Sequence, residues 1–383
     1  MSAALSDLLP RLRAVRDRMV ADVGTLVSCE SASEDVAATR ACAELVGEWG
    51  AGLIGLRPEA VEVQGRGHLV WRCGGPTRVL LVGHFDTVWP MGTLSRWPFT
   101  VTGDRATGPG VFDMKAGLVQ MFHALSVLDD LTGVTVLVTS DEELGSPTSR
   151  RLIEDQARGA LAAFVLEASS RGALKTVRKG NSIYRIRLHG KASHAGLEPG
   201  AGINTTVEAA HQVLAIIAMG SPEVGTTVTP TVLHSGRTVN TVPDAAEISV
   251  DVRAASEVEQ HRVDAAIRAL STVLEGSRLA VEGGVNRPPL QASASAELFG
   301  LAVGLAAQIG LPSLESAAVG GASDGNFTAG VGTPTLDGLG AVGDHAHAEG
   351  EWASVSAMPD RSALLAALID AVRSGARPEI SRT

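Results

Sequence analysis

Apolar residues follow two different spacings in the first part of the chain. Residues 5–50 place them at helical spacing, with a break at 28–35, and this pattern predicts two helical stretches. The apolar residues then come in short runs, which predict three strands, at 61–63, 69–72 and 79–82. The last of these runs is apolar throughout, which is typical of a strand that is buried on both faces.

Strands and helices continue to alternate up to about residue 180. A loop rich in Gly and Pro over 100–110 leads into a helix at 115–128, and apolar runs at 134–139 and 162–166 predict two more buried strands. This order predicts an α/β fold with a mostly parallel sheet flanked by helices. Such sheets bind their ligands at the carboxyl ends of the strands.

Beyond residue 180 the pattern changes to strand, helix, two strands, helix and strand. This order predicts a self-contained α+β unit of the ferredoxin-like kind, with a split βαβ sheet. Its elements are expected at 182–189, 203–218, 226–233, 246–252, 258–274 and 279–282. We therefore place a second domain at 180–288.

After this insertion, the chain returns to the pattern seen before residue 180, with helices at 296–309 and 361–374 and a strand near 334–336. A chain of 383 residues is long for a single core, which also favours two domains. We therefore predict a discontinuous larger domain formed by residues 1–179 and 289–383.

Composition argues against several classes of function. The net charge is −10 and no basic run stands out, which argues against a nucleic-acid partner. No apolar run reaches the length of about 18 residues that a membrane span requires. Residues 1–20 lack the uninterrupted apolar segment of a secretory signal, so a cytoplasmic protein is the default expectation. Three cysteines without metal-binding spacing, Cys29, Cys42 and Cys73, are predicted to be reduced, structural thiols.

His84 and Asp86 follow the buried run 79–82 and lie two residues apart. In an extended chain, both side chains point to the same side. One interpretation is a metal site in which His84 is a ligand and Asp86 accepts from its ring and fixes the ring's orientation. The alternative is a histidine in a turn that bonds to a nearby aspartate.

Four more carboxylates follow the ends of predicted strands or the start of a helix. Asp113 lies where the loop over 100–110 gives way to a helix, a position at which an aspartate is often only a helix cap. Glu142 and Glu143 follow the strand at 134–139, where a solvated acidic loop is the alternative. Glu167 follows the next strand, so a parallel sheet would bring all of these side chains to one edge.

Five motifs in this order resemble a family of dinuclear-zinc metallopeptidases and amidohydrolases. The motifs read G-H-F-D-T-V, G-V-F-D-M-K-A-G, S-D-E-E-L-G-S, V-L-E and G-K-A-S-H-A-G. The family includes carboxypeptidase G (glutamate carboxypeptidase), succinyl-diaminopimelate desuccinylase, acetylornithine deacetylase and the aminoacylases. The chain looks most similar to the carboxypeptidase G branch. The resemblance covers nearly the whole chain and implies a zinc-binding catalytic domain with an inserted lid or dimerisation domain.

The resemblance implies two zinc ions per subunit, with cobalt or manganese as alternative divalent ions. His84 and Glu167 are expected to bind one ion, Glu143 and a C-terminal histidine the other, and Asp113 is expected to bridge both. Each zinc needs about four ligands from imidazole and carboxylate groups, plus an open position for water. Two such ions, about 3.5–4 Å apart, lower the pKa of a shared water.

The resemblance also leaves two histidines near the C-terminus as alternatives for the last ligand. The family pattern resembles G-x-G-A-H-A-x-x-E, with a glutamate four residues after the ligand. Glu351 lies four residues after His347, and Glu349 lies four residues after His345. Counting from the G-L-G turn at 338–340 favours His347.

Catalytic roles follow from the same resemblance. Glu142 is expected to be the general base, Asp86 the residue that orients His84, and the peptide bond after Asp113 is expected to be cis. His194 in K-A-S-H-A is expected to reach the site of a partner subunit and to stabilise the developing oxyanion. This role implies a homodimer through the inserted domain or a closed lid; the alternative is a histidine on a surface loop.

Several positions are similar to those that hold the substrate in relatives. Asn240 and Arg253 match positions that bind the α-carboxylate, and Gly321 lies in a glycine turn before a helix, where free N–H groups attract anions. Lys175 and Arg287 match positions that contact a glutamate side chain in carboxypeptidase G. The alternative for these two residues is that they are solvated surface cations.

We therefore expect a zinc-dependent amidohydrolase that cleaves an amide next to a free carboxylate. Its substrates would be N-acyl amino acids or peptides, and release of glutamate from N-acyl or folate-like substrates is the leading form. An N-acyl-amino-acid deacylase or small-dipeptide hydrolase of the same family is the first alternative. A catalytically silent scaffold is more remote, since the base and ligands are all present. A nucleotide-binding enzyme is disfavoured, because no G-x-G-x-x-G turn joins a strand to a helix.

Overall fold

A computed structural model describes residues 5–375 of the chain. The described chain divides into two compact units. The larger unit runs up to Val177 and resumes at Gln291–Val319 and from Ser323 onward. The smaller unit consists of Arg178–Leu290 and the short segment Gly320–Ala322, which the sequence did not assign to it.

The described residues form ten helices. They are α1 Leu5–Ala14, α2 Arg16–Val27, α3 Val36–Ile54, α4 Ala116–Ser126, α5 Arg150–Ala157, α6 Thr205–Ile217, α7 Glu257–Arg268, α8 Ala292–Gln308, α9 Gly325–Gly330 and α10 Ala357–Ser374. None of them is long and apolar enough to cross a membrane.

The strands of the described residues are short except in the smaller unit. They are β1 Glu59–Val63, β2 Arg66–Arg72, β3 Val79–His84, β4 Thr100–Thr102, β5 Arg105–Thr107, β6 Val134–Thr139, β7 Ala162–Val165, β8 Leu174–Arg178, β9 Gly180–His189, β10 Ser193–His194, β11 Thr227–Ser235, β12 Thr241–Val242, β13 Ala245–Ala254, β14 Arg278–Arg287, β15 Ser316–Val319, β16 Thr335–Leu336, β17 Gly343–Asp344 and β18 Trp352–Ser354.

The main sheet of the larger unit has six strands in the order β1-β2-β6-β3-β7-β16. The pairs β6–β3, β3–β7 and β7–β16 are parallel, and the two pairs at the β1 end are antiparallel. The α/β fold with a mostly parallel sheet is therefore confirmed. The register pairs His84 with Thr139, so the carboxyl ends of β3 and β6 lie side by side.

The strand β3 is buried on both faces, which explains why its first four residues are all apolar. Val79 and Leu81 pack into the hydrophobic core on one face of the sheet, and Leu80 and Val82 pack into a separate core on the other face. Alternate residues of a strand point to opposite faces, so a strand that is covered on both sides needs apolar residues at every position. This packing fixes the strand that ends at His84.

The smaller unit contains a four-stranded antiparallel sheet in the order β11-β13-β9-β14, covered by α6 and α7. With its chain order of strand, helix, two strands, helix and strand, this is the predicted ferredoxin-like unit. Tyr184, Ile186 and Leu188 of β9 are buried in a core shared with the helices. The alternate residues Arg185 and Arg187 form ion pairs with Glu247 on the opposite face, which no helix of this unit covers.

Two predicted elements are wrong in detail. The expected loop over 100–110 contains the hairpin β4–β5. Its two strands are short and mostly exposed and lie among Gly and Pro residues, so no apolar pattern marks them in the sequence. The helix expected to reach residue 274 ends at Arg268. Beyond it, the carboxylate of Glu208 accepts hydrogen bonds from the N–H groups of Val273 and Leu274, so these groups are held in a loop.

Candidate metal centre

The ends of three adjacent parallel strands carry most of the candidate site. His84 is the last residue of β3, and Glu167 follows β7 closely. Glu142 and Glu143 lie in a single 3₁₀ turn, Glu142–Leu144, after β6. All of these side chains are largely buried. The parallel register thus brings together residues that are far apart in sequence, as ligands of a parallel sheet require.

Asp113 reaches the same site from a wide turn, Val111–Lys115, that precedes α4. The peptide bond between Asp113 and Met114 is cis, as the sequence predicted. Gly117, in the first turn of α4, explains how this helix approaches the sheet. A Cβ atom at Gly117 would lie 2.3 Å from the carbonyl oxygen of Leu166, so any larger residue would push α4 away from the strand end that carries Glu167.

The donor atoms form two groups that share Asp113. In the first group, His84 Nε2 lies 3.5 Å from Asp113 Oδ1 and 3.4 Å from Glu167 Oε1. In the second group, His347 Nε2 lies 3.3 Å from both Asp113 Oδ2 and Glu143 Oε2. Each carboxylate oxygen of Asp113 therefore faces a different imidazole, which is the arrangement of a bridging carboxylate.

These distances fit divalent metal ions. Tetrahedral ligands at about 2.0–2.2 Å from one zinc ion are about 3.3–3.6 Å from each other, which agrees with the observed donor spacing. Three inward atoms, His84 Nε2, Asp113 Oδ1 and Glu143 Oε1, are buried and have no hydrogen-bond partner. Buried polar atoms normally have a hydrogen-bond partner, so this group of atoms fits the binding of a cation. The donor set is imidazole and carboxylate, as zinc prefers.

The charges of the site act on one another strongly. The Asp113 and Glu143 carboxylates raise the pKa of His347 to about 11. Burial opposes a charge on His84, yet the neighbouring carboxylates of Asp113, Asp86 and Glu167 raise its pKa well above the usual range. Burial raises the pKa of Glu143 to about 7. Without an ion, the protonated imidazoles supply the positive charge of the site. Protons and metal ions therefore compete for the same nitrogen and oxygen atoms, and metal binding should weaken as the pH falls.

Asp86 is fully buried and organises the residues around His84. Its backbone carbonyl lies 3.0 Å from His84 Nδ1, nearer than its carboxylate at 3.4 Å, so the backbone makes the closer contact with the ring. The carboxylate accepts from Ser33 Oγ at 2.7 Å and from the N–H groups of Glu142 and Glu143, both at 3.2 Å. Asp86 therefore positions the turn that carries both glutamates, a role that the sequence did not suggest.

Glu351 is a second positioning residue, and the sequence marked its spacing from His347 but not this role. Its carboxylate is completely buried and accepts from the N–H groups of Gly110, Phe112 and Asp113 at 3.0, 2.7 and 2.9 Å. It also accepts from Trp89 Nε1 at 2.8 Å. The three backbone bonds tie the turn of Asp113 to the segment that carries His347, and the fourth adds the indole of Trp89.

We expect Glu351→Gln to lower the free energy of unfolding by about 2–4 kcal/mol, measured by urea denaturation. An amide keeps the size of the side chain, but its NH₂ group would face N–H donors that now meet a carboxylate oxygen. Glu349→Gln is the matched control, because Glu349 is exposed and its ion pair with Arg96 is long, at 3.8 Å. This substitution should change the free energy of unfolding by less than about 0.5 kcal/mol. Equal effects of the two substitutions would contradict the positioning role.

The structure separates His347 from His345. Both residues have a positive φ, 61° and 67° respectively, and both are exposed to solvent. His347 faces Asp113 and Glu143, whereas His345 forms no ion pair with any described residue. The buried Arg361 donates to the carbonyls of Gly338 and Gly340 and so holds the turn that leads into this segment.

The smaller unit contains His194, Asn240 and Arg253. His194 and Asn240 are exposed. His194 Nδ1 accepts from the N–H groups of Gly196 and Leu197, both at 3.1 Å, which favours the tautomer with its proton on Nε2. Arg253 makes two hydrogen bonds of 2.9 Å to the carboxylate of Asp251, so a substrate carboxylate at Arg253 would compete with Asp251.

The glycine turn at Gly321 precedes a short helix, some of whose N–H groups bond to nearby residues. The following helix α9 has six residues, and the N–H of Gly325 donates to Ser323 Oγ at 3.1 Å. The N–H of Phe327 donates to the carbonyl of Asp324 at 3.1 Å. These bonds use N–H groups of α9, and the anion site at Gly321 stays a prediction.

Lys175 and Arg287 differ in exposure. Arg287, at the end of β14, is only 4% exposed, so the alternative of a solvated surface cation is excluded for it. Lys175 is partly exposed, and its backbone N–H donates to the carbonyl of Asp337 at 2.9 Å. Lys175 belongs to the larger unit and Arg287 to the smaller one.

Sequence comparison identifies related proteins. Residues 80–371 match the profile of Peptidase family M20/M25/M40. Carboxypeptidase G2 of Pseudomonas sp. (strain RS-16) is 33% identical over 312 residues, which cover 77% of this chain and 74% of that protein.

Structure comparison supports the same fold. A tripeptidase from Staphylococcus aureus superposes with a TM-score of 0.74 at 19% identity, covering 94% of this chain and 99% of that one. An M20 family metallo-carboxypeptidase from Sulfolobus solfataricus superposes with a TM-score of 0.72 at 14% identity, covering 92% of this chain and 99% of that one. At these identities, the similarity concerns the fold alone.

Proposed function

The chain belongs to Peptidase family M20/M25/M40, and from this premise we propose that it is a dinuclear zinc hydrolase of an amide bond next to a free carboxylate. We further propose that the released residue is glutamate. The observation that carries the proposal is the position of Asp113, whose two oxygens face His84 and His347 separately. A lone structural aspartate would not be expected between two imidazoles, each with a further carboxylate.

In the proposed reaction, His84, Glu167, Glu143, His347 and the bridging Asp113 hold the two ions. Bound ions would polarise the substrate carbonyl and acidify the attacking water. The residues of the chain supply the rest of the chemistry. Asp86 fixes the His84 ring and the turn of Glu142 and Glu143 before substrate arrives.

Glu142 moves the proton. It is only 8% exposed and lies with His84 and Glu167 in a group of donor atoms that are all within 4.8 Å of one another. Its carboxylate accepts the proton of the attacking water and then delivers it to the leaving nitrogen. His194 of one subunit donates from Nε2 to the oxyanion in the site of the partner subunit, and the tautomer that its backbone contacts favour carries the proton on that atom.

A homodimer through the smaller unit is part of the proposal. β11 is an edge strand of its sheet and presents unpaired backbone groups, and α6 packs beside it. Leu214 and Ile217 on α6 are 70% and 52% exposed, and Val232 and Leu233 on β11 are 45% and 48% exposed. A second copy of the chain would cover this apolar surface.

We expect Leu214→Glu to shift the protein from dimer to monomer, with a dimer dissociation constant at least about tenfold higher by sedimentation. A charge at this position would be desolvated in the interface. Val258→Glu on α7 is the matched control, because Val258 is 79% exposed on the other helix of the unit and should leave the dimer intact. A wild-type monomer would contradict the proposed dimer.

The substrate preference is tested with zinc-loaded enzyme on N-acyl-glutamate, N-acyl-alanine and a dipeptide. We expect the highest kcat/KM for N-acyl-glutamate. Arg287→Ala should lower the ratio of kcat/KM for glutamate over alanine by about tenfold to a hundredfold, the effect of removing a charged hydrogen bond.

Lys175→Ala should lower the same ratio. Arg185→Ala on β9 is the control, because Arg185 is paired with Glu247 and should leave the ratio unchanged. An unchanged ratio in both Lys175→Ala and Arg287→Ala would remove the support for glutamate and favour a deacylase or small-peptide hydrolase.

A further inference from the structure

His68 is a completely buried histidine of β2, and its two ring nitrogens contact residues on either side of the turn that carries Glu142 and Glu143. Nδ1 accepts from the backbone N–H of Ser140 at 3.3 Å, and the Ser140 hydroxyl lies 3.4 Å from the same nitrogen. Nε2 lies 3.0 Å from the hydroxyl oxygen of Thr148. His68 therefore joins the residue before the turn to a residue after it.

Asp141 is the second completely buried group of this network and directly precedes Glu142. Its Oδ2 accepts from the backbone N–H and the hydroxyl of Thr148, at 2.7 and 2.6 Å. Its Oδ1 accepts from the hydroxyl of Ser149 at 2.5 Å. A carboxylate that is removed from water needs such partners. The Asp141 side chain thus ties the start of the segment 141–149 to its end, with the turn of Glu142 between them.

The donors and acceptors of the network allow only one direction for its hydrogen bonds. A carboxylate accepts, so the Thr148 hydroxyl donates its proton to Asp141, and the Thr148 oxygen must accept from His68 Nε2. Because His68 Nδ1 accepts from the N–H of Ser140, the ring is neutral and its proton lies on Nε2. Burial also lowers the pKa of His68 below its usual range. A proton on Nδ1 would face the N–H of Ser140, so the network requires the neutral ring.

The turn between the ends of this network is tightly folded. The N–H groups of Leu144 and Ser146 donate to the carbonyl of Asp141 at 3.2 and 2.9 Å, and the N–H of Gly145 donates to the carbonyl of Glu142 at 2.8 Å. Ser146 has a φ of 57°, a left-handed conformation that is costly for a residue with a side chain and persists only where surrounding contacts hold it. Ser146 lies within the segment that Asp141 closes, so the network helps to hold this conformation.

We propose that His68, Thr148 and Asp141 are positioning residues for Glu142, the general base of the proposed hydrolysis. Asp86 bonds to N–H groups inside the turn, whereas the network holds the residues on either side of it. The turn is therefore fixed in its middle and at both ends, and the Glu142 carboxylate is held in place before substrate binds. This inference rests on the proposed function, because only there is Glu142 a base.

The His68 ring is tested in the metal-loaded, full-length wild type, without any substitution. We expect nitrogen NMR at neutral pH to show a neutral His68 ring with its proton on Nε2. A proton on Nδ1, or a charged ring, would overturn the inference. This measurement does not depend on which substrates the protein hydrolyses.

The central hydroxyl of the network is tested by two substitutions at one position. We expect Thr148→Val to lower kcat at saturating zinc by about tenfold to a hundredfold, with KM within about twofold, because a small displacement of a catalytic group is costly. Thr148→Ser keeps the hydroxyl and should keep kcat within about threefold of the wild type. Thr135→Val is the matched control, because Thr135 is a buried threonine of β6 whose hydroxyl contacts that of Thr77 at 2.8 Å. It should leave kcat unchanged.

Hydrogen exchange reads the order of the turn without using activity. We expect the amide protons of Leu144, Gly145 and Ser146 to exchange at least about tenfold faster in Thr148→Val than in the wild type or in Thr148→Ser. If Thr148→Val does not fold, Ser149→Ala should give the same faster exchange, because it removes another donor to Asp141.

Two outcomes separate this inference from the proposal on which it rests. Unchanged kcat or unchanged exchange in the variants that remove a hydroxyl from the network would overturn the positioning role. A wild-type protein that hydrolyses none of the proposed substrates would instead overturn the proposed function.

Discussion

We expect Glu142→Gln to lower kcat by about 10²–10⁴-fold and to leave the metal content unchanged. The amide keeps the size of the side chain but cannot take a proton from water or return it to the leaving nitrogen. KM should change little, since the substrate contacts proposed above involve other residues. Steady-state kinetics and metal analysis of the same purified sample measure both effects.

The neighbouring residue provides the contrast for this experiment. Glu143 lies 3.3 Å from His347 Nε2 and is proposed to be a ligand, so Glu143→Gln should lose metal as well as activity. Because the two glutamates share one turn, a general effect of substitution in this turn would appear in both variants. A Glu142→Gln protein that keeps its activity would exclude Glu142 as the base, and one that loses metal would make Glu142 a ligand.

Asp113→Asn should lower the affinity for both ions by at least about 10²-fold and reduce the bound zinc well below two ions per chain. The physical reason is that this single carboxylate serves both groups of donor atoms, and losing a charge between two cations affects each of them. His347→Ala should instead weaken the binding of one ion, because His347 belongs only to the group of donor atoms that also contains Asp113 Oδ2 and Glu143 Oε2. Zinc content by mass spectrometry after dialysis distinguishes these outcomes.

A second readout of Asp113→Asn needs no metal. The carboxylates of Asp113 and Glu143 raise the pKa of His347 to about 11 in the metal-free chain, so removing one of them should lower that pKa. An NMR titration of the metal-free protein measures this shift. Asp344→Asn is the control, since Asp344 is exposed and accepts only from the neighbouring N–H of His345 among the described contacts. A His347 pKa that Asp113→Asn leaves unchanged would contradict the proximity of the two side chains.

The main elements of the site were predictable because each one follows a strong local pattern. Val79–Val82 is apolar throughout, and the first polar side chain after it is His84, so the position of this residue at the end of a buried strand could be read directly. The same pattern places Glu167 after β7. The assignment of roles came from the resemblance to a family, because no local pattern shows that Asp113 faces two different imidazoles.

Contacts between distant segments could not be read in this way. Glu351 accepts from the N–H of Asp113 across 238 residues of sequence, and only its spacing from His347 marked it. The pairing of Arg253 with Asp251 was missed for the opposite reason. The two residues are neighbours on one face of β13, and a pattern that suits a substrate carboxylate suits an internal one equally well.

The interruption of the larger unit has a consequence for folding during synthesis. His84, Asp113, Glu143 and Glu167 leave the ribosome before the smaller unit, whereas His347, Glu351 and β16, the parallel neighbour of β7, leave it after that unit. The growing chain therefore carries an unmatched cluster of negative charge and an open sheet edge for the time it takes to make more than a hundred residues. We expect the nascent chain to depend on chaperones in this interval and to acquire its ions only when translation is nearly complete.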